Sequence, residues 1–257
     1  VFGRTGKPMT RAYPMNTSPP EYEKRDHPHH RSLWITHGEV NGVDFWSEGG
    51  KSGSIVHTGF DRVESGREAV VVARADWVSR DAKRICQDER TLRFGADDGS
   101  RWIDFDVVIR ASDGPLTFGD TKEGSFGVRV SETMKVEAKL GGKIVNSEGK
   151  IDGAAWGQPA AWVDYHGPVE GEHLGVAILN HPSSFRYPTT WHVRTYGLFA
   201  ANPFGLRDFS GGKSASGAHT LEAGKTLALR HRVLLHKGDE KEGRIADAFT
   251  AYAREKR

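Results

Sequence analysis

Residues 26–38, DHPHHRSLWITHG, hold four of the chain's twelve histidines. Imidazole nitrogens bind metal ions, transfer protons near neutral pH and hydrogen-bond to polar ligands. In an extended segment His27 and His29 would point one way and His30 the other, while Pro28 favours a loop or a strand edge. The stretch therefore supports two hypotheses, a divalent metal held by His27, His29 and His30, or a wall of hydrogen-bonding histidines for a polar ligand.

A second stretch, FGDTKEGSFGVRV at residues 118–130, offers a carboxylate for proton transfer. In a strand Glu123 and Arg129 would share one face, with Phe126 on the other. Glu123 is a candidate general acid or base, and Lys122 or Arg129 could hold its charge or a substrate oxygen. A salt bridge on the protein surface is the alternative interpretation.

The third stretch, residues 178–205, is dense in groups that recognise polar, ring-shaped ligands. His192, Arg194 and Tyr196 would share one face of a strand predicted at 191–199, with Trp191 on the other. Aromatic planes and a few polar groups are the usual lining of a sugar pocket, although any single tryptophan is more typical of a core. Further candidates for ligand binding are Trp156, His181, Arg186 and Asn202.

The elements that must position these groups are predicted to be strands. Short runs rich in Val, Ile, Thr, Phe and Trp recur between the 31 glycines, and they lie at 69–78, 90–94, 101–110, 125–130, 160–167, 173–179, 191–199 and 226–235. Only the tail has helical spacing, with Asp239 as the expected N-cap before Ile245, Phe249 and Tyr252. The pattern predicts an all-β protein, a single β-sandwich domain over 1–257 with one C-terminal helix. His231 is expected in its core.

Composition narrows the function classes. The 257 residues are 37% hydrophobic with a net charge of +2, so no basic surface for nucleic acid is indicated. No apolar run reaches the roughly 18 residues that a membrane span needs, so no membrane insertion is expected. With one cysteine, Cys86, no disulfide forms within the chain. The start, VFG, lacks a signal peptide and an initiator Met, so we expect a short N-terminal segment to be missing. Periplasmic, secreted and cytoplasmic locations stay open, as does the oligomeric state.

Four motifs together resemble the PmoA-like family of uncharacterised bacterial proteins, which are often labelled methane oxygenases. They are DHPHHRSLWITHGEVNGVDFW, GDTKEGSFGVRV, AAWGQPAAWVDYHG and HPSSFRYPTTWHVRTYGLFAANPFG, and the resemblance runs from about Gly6 to the C-terminal helix. It implies a role in carbohydrate metabolism in bacteria that degrade polysaccharides. It also implies a fold similar to the galactose-mutarotase-like sandwiches.

The residues and the resemblance together predict an enzyme that acts on a carbohydrate by general acid–base chemistry. The reaction would be hydrolysis or elimination at a glycoside or keto-sugar, or epimerisation. Glu123 would exchange protons with His30, His37 or His192, whose pKa values their surroundings would separate. Hydrolysis with two carboxylates would need a second acid, for which Asp120 and Asp164 are candidates.

Arg129 and Arg194 are expected to hold sugar oxygens, with Trp191 or Trp156 as a platform for the ring. Two alternatives stay open. One is a carbohydrate-binding module without catalysis, and the other is a metal-dependent oxygenase or hydrolase that uses His27, His29 or His30. No cofactor is implied by the first hypothesis, and a divalent metal belongs to the last.

Overall fold

The computed structural model describes residues 1–257 and shows a mostly β protein. Its strands are β1 Leu33–His37, β2 Ser54–Glu64, β3 Ala69–Val78, β4 Arg84–Ala96, β5 Arg101–Arg110, β6 Leu116–Phe118, β7 Gly124–Arg129, β8 Lys143–Asn146, β9 Trp162–Val169, β10 Glu172–Asn180, β11 Trp191–Val193, β12 Leu198–Ala201, β13 His219–Leu221 and β14 Thr226–Lys237. The helices are α1 Leu206–Phe209 and α2 Ile245–Tyr252, with 3-10 turns at Val136–Ala138 and Asp152–Ala155. The predicted fold class is confirmed.

Two antiparallel sheets form a sandwich. The large sheet has eight strands in the order β2-β3-β4-β5-β14-β10-β9-β8, and the small sheet has four in the order β1-β7-β12-β11. Strands β13 and β6 form a separate pair. Each sheet therefore has an inner face toward the other sheet and an outer face.

The core lies between the inner faces, because alternate residues of each strand point inward. Phe105 of β5 meets Phe126 of β7 with ring centroids 5.3 Å apart, and His231 of β14 stacks on Phe126 at 4.6 Å. His231 is 2% exposed, which confirms its predicted place in the core. Val107 and Ile109 of β5 are buried together with Phe105.

Helix α2 packs on the outer face of the large sheet. Its Ile245 and Tyr252 are fully buried against Trp162 and Leu234. Asp239 does not cap this helix, contrary to the prediction, because its Oδ1 accepts the backbone N–H groups of Lys241 and Glu242 in the preceding turn. No helix is both long enough and apolar enough to cross a membrane.

The single strand predicted at 191–199 is wrong. Strands β11 and β12 instead form a hairpin, closed by hydrogen bonds from Gly197 N to Arg194 O and from Arg194 N to Leu198 O. Gly197 has φ 100°, which an L side chain rarely adopts, so the glycine permits this turn. Arg194 and Tyr196 consequently lie on a tight turn at the edge of the small sheet.

Candidate functional site

The outer face of the small sheet gathers most of the predicted site residues. Strand pairing places Trp34, Gly127, Ala200 and His192 in one row across its four strands. The two residues in the middle have almost no side chain, and the ring of Trp34 lies over Gly127, where a Cβ would come closer than 3.0 Å to it. We call this surface the aromatic face.

Four rings stack above this row in one column. Tyr196 stacks on His27 at 5.5 Å, His27 on His30 at 4.8 Å and His30 on Trp34 at 5.2 Å between centroids, with planes within 12° of parallel. Trp46 packs edge-on against both His30 and Trp34, at 5.7 Å from each. We call Tyr196, His27, His30 and Trp34 the aromatic column.

The prediction that alternation separates His30 from His27 and His29 is wrong. Residues 27–30 form a turn, in which the N–H of His30 donates to the carbonyl of His27 and His27 has φ 45°. The ring of His29 therefore meets those of His27 and His30 edge-on, at 5.7 and 4.5 Å. Stacked and edge-on rings do not aim three nitrogens at one point, which a metal ion would require.

Two buried arginines hold the histidine turn in place. Arg11 donates to a carboxylate oxygen of Asp26 at 2.6 Å and to the carbonyl of His27 at 3.0 Å. Arg129, 1% exposed, donates to the same Asp26 oxygen at 3.2 Å, and its guanidinium lies 4.9 Å from the centre of the Tyr196 ring. Burial alone would raise the pKa of Asp26, but Arg129 and Arg11 bring it below its ordinary value.

His30 is held neutral by this arrangement. Burial, and then the neighbouring His29 and Arg129, lower its pKa to about 2. Its Nδ1 lies 3.2 Å from Nη1 of Arg129, which can only donate, so Nδ1 is the acceptor. With that lone pair occupied, His30 is placed to pack between His27 and Trp34 and is poorly placed to accept a proton from a substrate.

Glu123 lies just before β7 and acts electrostatically on residues of the aromatic face. Its half-exposed carboxylate pairs with the ammonium of Lys122 at 3.2 Å. The Glu123 charge is also the largest electrostatic influence on His192, where it partly offsets the burial that lowers the pKa to about 4. It acts in the same direction on the pKa values of His29 and Tyr196. One carboxylate is therefore close enough to influence three proton-bearing groups of the aromatic face.

Arg194 and Trp156 form the far edge of the aromatic face. The Arg194 guanidinium lies 5.8 Å from the Trp156 ring and 5.7 Å from the Tyr196 ring. Phe209 of α1 meets Trp156 edge-on at 5.4 Å and lies 6.1 Å from His192. Sequence-distant segments thus converge on one surface.

Several polar atoms of the aromatic face are buried without a hydrogen-bond partner. They are Trp34 Nε1, Arg129 Nε, Trp156 Nε1 and His192 Nδ1. Buried polar atoms are nearly always hydrogen-bonded in native proteins, and a group without a partner needs an explanation. A polar ligand that supplies the missing partners would be one.

His37 and Asn202 lie beneath the loop that carries Glu123, inside the sandwich. His37 Nε2 donates to the carbonyl of Gly119 at 2.8 Å, and burial lowers its pKa to about 4. Asn202 Nδ2 donates to the carbonyl of Thr121 at 2.8 Å, and the asparagine is fully buried. Both are placed to fix the loop rather than to touch a ligand.

The structure places three other predicted residues away from the aromatic face. Trp191 is fully buried in the core and donates to the carbonyl of Ala160. His181 packs on Tyr252 of α2, at the outer face of the large sheet. Arg186 donates to the carbonyls of residues 203, 217 and 218.

Neither predicted second acid meets Glu123. Asp120 accepts the backbone N–H groups of Arg207 and Gly217, so it fixes α1 and the loop after it. Asp164 is fully buried on the outer face of the large sheet, since its neighbour Tyr165 points into the core toward Phe199. Because neighbouring residues of a strand point to opposite faces, both sheets and the core separate Asp164 from the aromatic face.

Sequence reasoning missed three members of the aromatic face: Asp26, Trp34 and Trp46. All three lie within residues 26–46, close to the four histidines, so their proximity in sequence was the available signal. It also missed a cluster on the large sheet. There Asp164 bonds to His166 and His236, and Glu240 lies beside them. We call these four residues the Asp164 cluster.

Comparison with known proteins gives a family without a function. Residues 1–250 match DUF6807, a family of unknown function. This match overturns the predicted membership of the PmoA-like family, to which nothing points, and what that resemblance implied about carbohydrate metabolism loses its support. No curated protein matches the chain. Since the match spans nearly the whole sequence, the chain belongs to the DUF6807 family.

Proposed function

We propose that the protein is a carbohydrate-active enzyme that uses general acid–base chemistry on the aromatic face. One observation carries the proposal. The Glu123 carboxylate stands among aromatic planes and buried polar atoms that lack partners. Apolar walls with a few convergent polar groups and strongly shifted pKa values are the usual signs of a small-molecule site.

The surface suits a sugar ring. The partly exposed ring of Trp156 can pack against the C–H face of a pyranose. The unpartnered atoms Arg129 Nε, His192 Nδ1 and the indole N–H groups can serve its hydroxyls. A polar ligand would relieve the cost of leaving these atoms unbonded, which amounts to about 1–3 kcal/mol for each buried group.

Glu123 is the residue placed to move a proton. His192, with its pKa lowered to about 4, is a neutral imidazole at neutral pH and can orient a hydroxyl. Burial raises the pKa of Tyr196, so its phenol keeps its proton. Tyr196 lies beside the guanidinium groups of Arg129 and Arg194, and these three donors suit an oxygen that gains negative charge.

The carboxylates favour one reaction type over another. Two-carboxylate hydrolysis needs one carboxylic acid that gives up its proton. Asp26, the other carboxylate near Tyr196, is held ionised by Arg11 and Arg129 and cannot take that role. Glu123, whose ionic partner is the partly exposed Lys122, lies near neutral and cationic donors, and such a carboxylate suits abstraction of a proton next to a carbonyl. We therefore favour elimination or epimerisation of a keto-sugar over hydrolysis of an ordinary glycoside.

The test is turnover of a panel of keto-glycosides and keto-sugars in deuterated buffer. We expect the wild type to incorporate deuterium at the carbon beside the carbonyl. Glu123→Gln should lower kcat by about 10²-fold or more, while the control Glu222→Gln, on an exposed turn, keeps full activity. Far-ultraviolet circular dichroism would show that both variants fold.

Three outcomes separate the hypotheses. Unchanged turnover in Glu123→Gln would refute the assignment of the carboxylate. Binding of sugars by the wild type with no turnover and no deuterium incorporation would identify a binding module. Binding of none of the sugars on the panel would overturn the carbohydrate proposal.

A further inference from the structure

The Asp164 cluster lies on the side of the molecule opposite the aromatic face. Asp164 is fully buried, and each of its carboxylate oxygens meets an imidazole. Oδ2 lies 2.7 Å from Nδ1 of His166, and Oδ1 lies 2.8 Å from Nε2 of His236. Glu240 Oε2 is 4.0 Å from the same Nδ1 of His166. Two acids and two histidines from β9, β14 and the following turn therefore share one small volume.

Strand pairing explains how the cluster forms. Asp164 and His166 are two residues apart on β9, so they share its outer face. On β10, Gly175 pairs with both His166 and His236, which puts the three residues in one row. A Cβ on Gly175 would collide with the imidazole of His236, so the glycine lets this ring reach across β10 to Asp164.

We propose that Asp164, His166 and Glu240 bind a divalent transition-metal ion of the Zn²⁺ class. One ligand atom from each residue lies within 4.8 Å of the other two. Imidazole with carboxylates is a common donor set for Zn²⁺, whereas Ca²⁺ and Mg²⁺ prefer oxygen alone. Three protein ligands leave one position of a tetrahedral ion open to water.

The distances suit one ion. Donors that each lie about 2.1 Å from a metal can be at most about 4.2 Å apart. His166 Nδ1 satisfies this limit with both Asp164, at 2.7 Å, and Glu240, at 4.0 Å. The ligand atoms of Glu240 and Asp164 lie within 4.8 Å of each other, and rotation of the Glu240 side chain, which lies on a partly exposed turn, would bring them within the limit. The ion would take the place of the hydrogen bond between His166 and Asp164.

His236 completes the site as a positioning residue. His236 Nε2 is hydrogen-bonded to Oδ1 of Asp164, the carboxylate oxygen that does not contact His166. Metal-binding carboxylates are commonly oriented by such a hydrogen bond from a residue that does not itself touch the metal. Gly243 lies against its ring, so the turn before α2 covers the cluster. The bound ion would tie this turn to β9 through Glu240.

The test uses the full chain purified without an affinity tag, stripped with chelator and loaded with Zn²⁺ or Co²⁺. We expect one ion per chain by mass spectrometry after gel filtration, together with a rise in Tm on loading. Protein loaded with Co²⁺ should show the visible absorption bands that are typical of a four-coordinate, tetrahedral Co²⁺ ion.

Glu240→Gln is the main variant, because its partly exposed position lets the protein fold without the carboxylate. It should weaken Zn²⁺ binding by about tenfold or more, and His166→Gln should do the same. The control Glu148→Gln, on an exposed turn, should bind as the wild type does. The double variant His27→Ala/His29→Ala should also keep its ion.

Two outcomes would overturn the proposal. One is a wild type that retains no stoichiometric ion while near-ultraviolet circular dichroism shows a native fold. The other is binding that survives both Glu240→Gln and His166→Gln or that disappears in the His27→Ala/His29→Ala variant. The first would leave the cluster as a hydrogen-bonded structural tie, and the second would place the ion elsewhere.

Discussion

The Asp164 cluster and the aromatic face both combine histidines with a carboxylate, but they treat their polar atoms in opposite ways. In the Asp164 cluster both oxygens of the buried carboxylate are bonded, each to a different imidazole. On the aromatic face His192 Nδ1 and Arg129 Nε are equally buried and have no partner. Burial of a bonded group stabilises a fold, whereas burial of an unbonded one costs stability. We infer that the Asp164 cluster is satisfied within the protein and ready to hold the proposed ion, whereas the aromatic face still lacks the partners that a polar ligand would supply.

The sharpest way to break this comparison is to remove one carboxylate from each region. Asp164→Ala leaves two buried imidazoles without their acceptor and should lower the free energy of unfolding by about 3–5 kcal/mol. Glu123→Ala removes a half-exposed, weakly paired group and should lower it by less than about 1 kcal/mol. Urea denaturation with chelator present measures both. Equal losses would mean that the two faces do not differ in role.

A matched pair of glycines tests the same comparison through packing. Gly127 lies under the ring of Trp34, and Gly175 lies under the ring of His236. Alanine at either position overpacks the ring and should cost up to about 3 kcal/mol of stability. We expect Gly127→Ala to weaken sugar binding and leave metal content intact, and Gly175→Ala to do the reverse. Calorimetry measures sugar binding and metal analysis measures the bound ion in both variants. Loss of the ion in Gly127→Ala, or loss of sugar binding in Gly175→Ala, would contradict the separation of the two sites.

Acidification should destabilise the aromatic face through His192. Its pKa is about 4 in the folded protein against an ordinary 6.5, so the unfolded chain binds more protons between these values. Stability therefore falls as the pH falls through this window, by about 2 kcal/mol at pH 5 from this residue. In His192→Gln, the loss of unfolding free energy between pH 7 and pH 5, measured by urea denaturation, should be smaller by that amount.

His219→Gln is the control for this titration. Burial lowers the pKa of His219 as well, but the ring is only half-buried, so its removal should flatten the curve less. An equal effect of the two variants would show that burial on the aromatic face is not the cause.

The smallest effect on stability is expected for Tyr196→Phe. The ring stays in the aromatic column, so the free energy of unfolding measured in urea should change by no more than about 0.5 kcal/mol. Turnover should nevertheless fall, since the phenol is one of the donors proposed to face the developing negative charge. A large loss of stability would assign Tyr196 to the fold and weaken the contrast between the two faces.

Periodicity predicted much of the fold. The strands at 69–78 and 101–110 match β3 and β5 residue for residue, because both strands are paired on each side. Strand β2 was not predicted. It lies at the edge of the large sheet, is largely exposed and has bulges near His57 and Phe60, which disturb the alternation on which such predictions depend.

The candidate site was predictable mainly from residue chemistry. Glu123, His192, Arg129, Arg194 and Tyr196 were chosen from the sequence, and the structure brings them together, although Arg194 and Tyr196 lie on a turn and not on the predicted strand. His37 and His181 were not separable from them, because only tertiary contacts decide whether a histidine fixes a loop or lines a surface. Tryptophans such as Trp34 resemble core residues in sequence, and only the pairing with Gly127 shows the ring on the outer face.

The strand order of the small sheet has a consequence for when the aromatic face forms during folding. Strands β2 to β5 follow one another along the chain and pair in that order, so they can form early. The small sheet instead joins β1 to β7, with Leu33 opposite Val128, and β7 to β12. Closing these long loops is slow, so the aromatic face should be completed last. A partly folded chain would then have most of its strand content and no aromatic face, and binding of the proposed ligand would report complete folding better than circular dichroism.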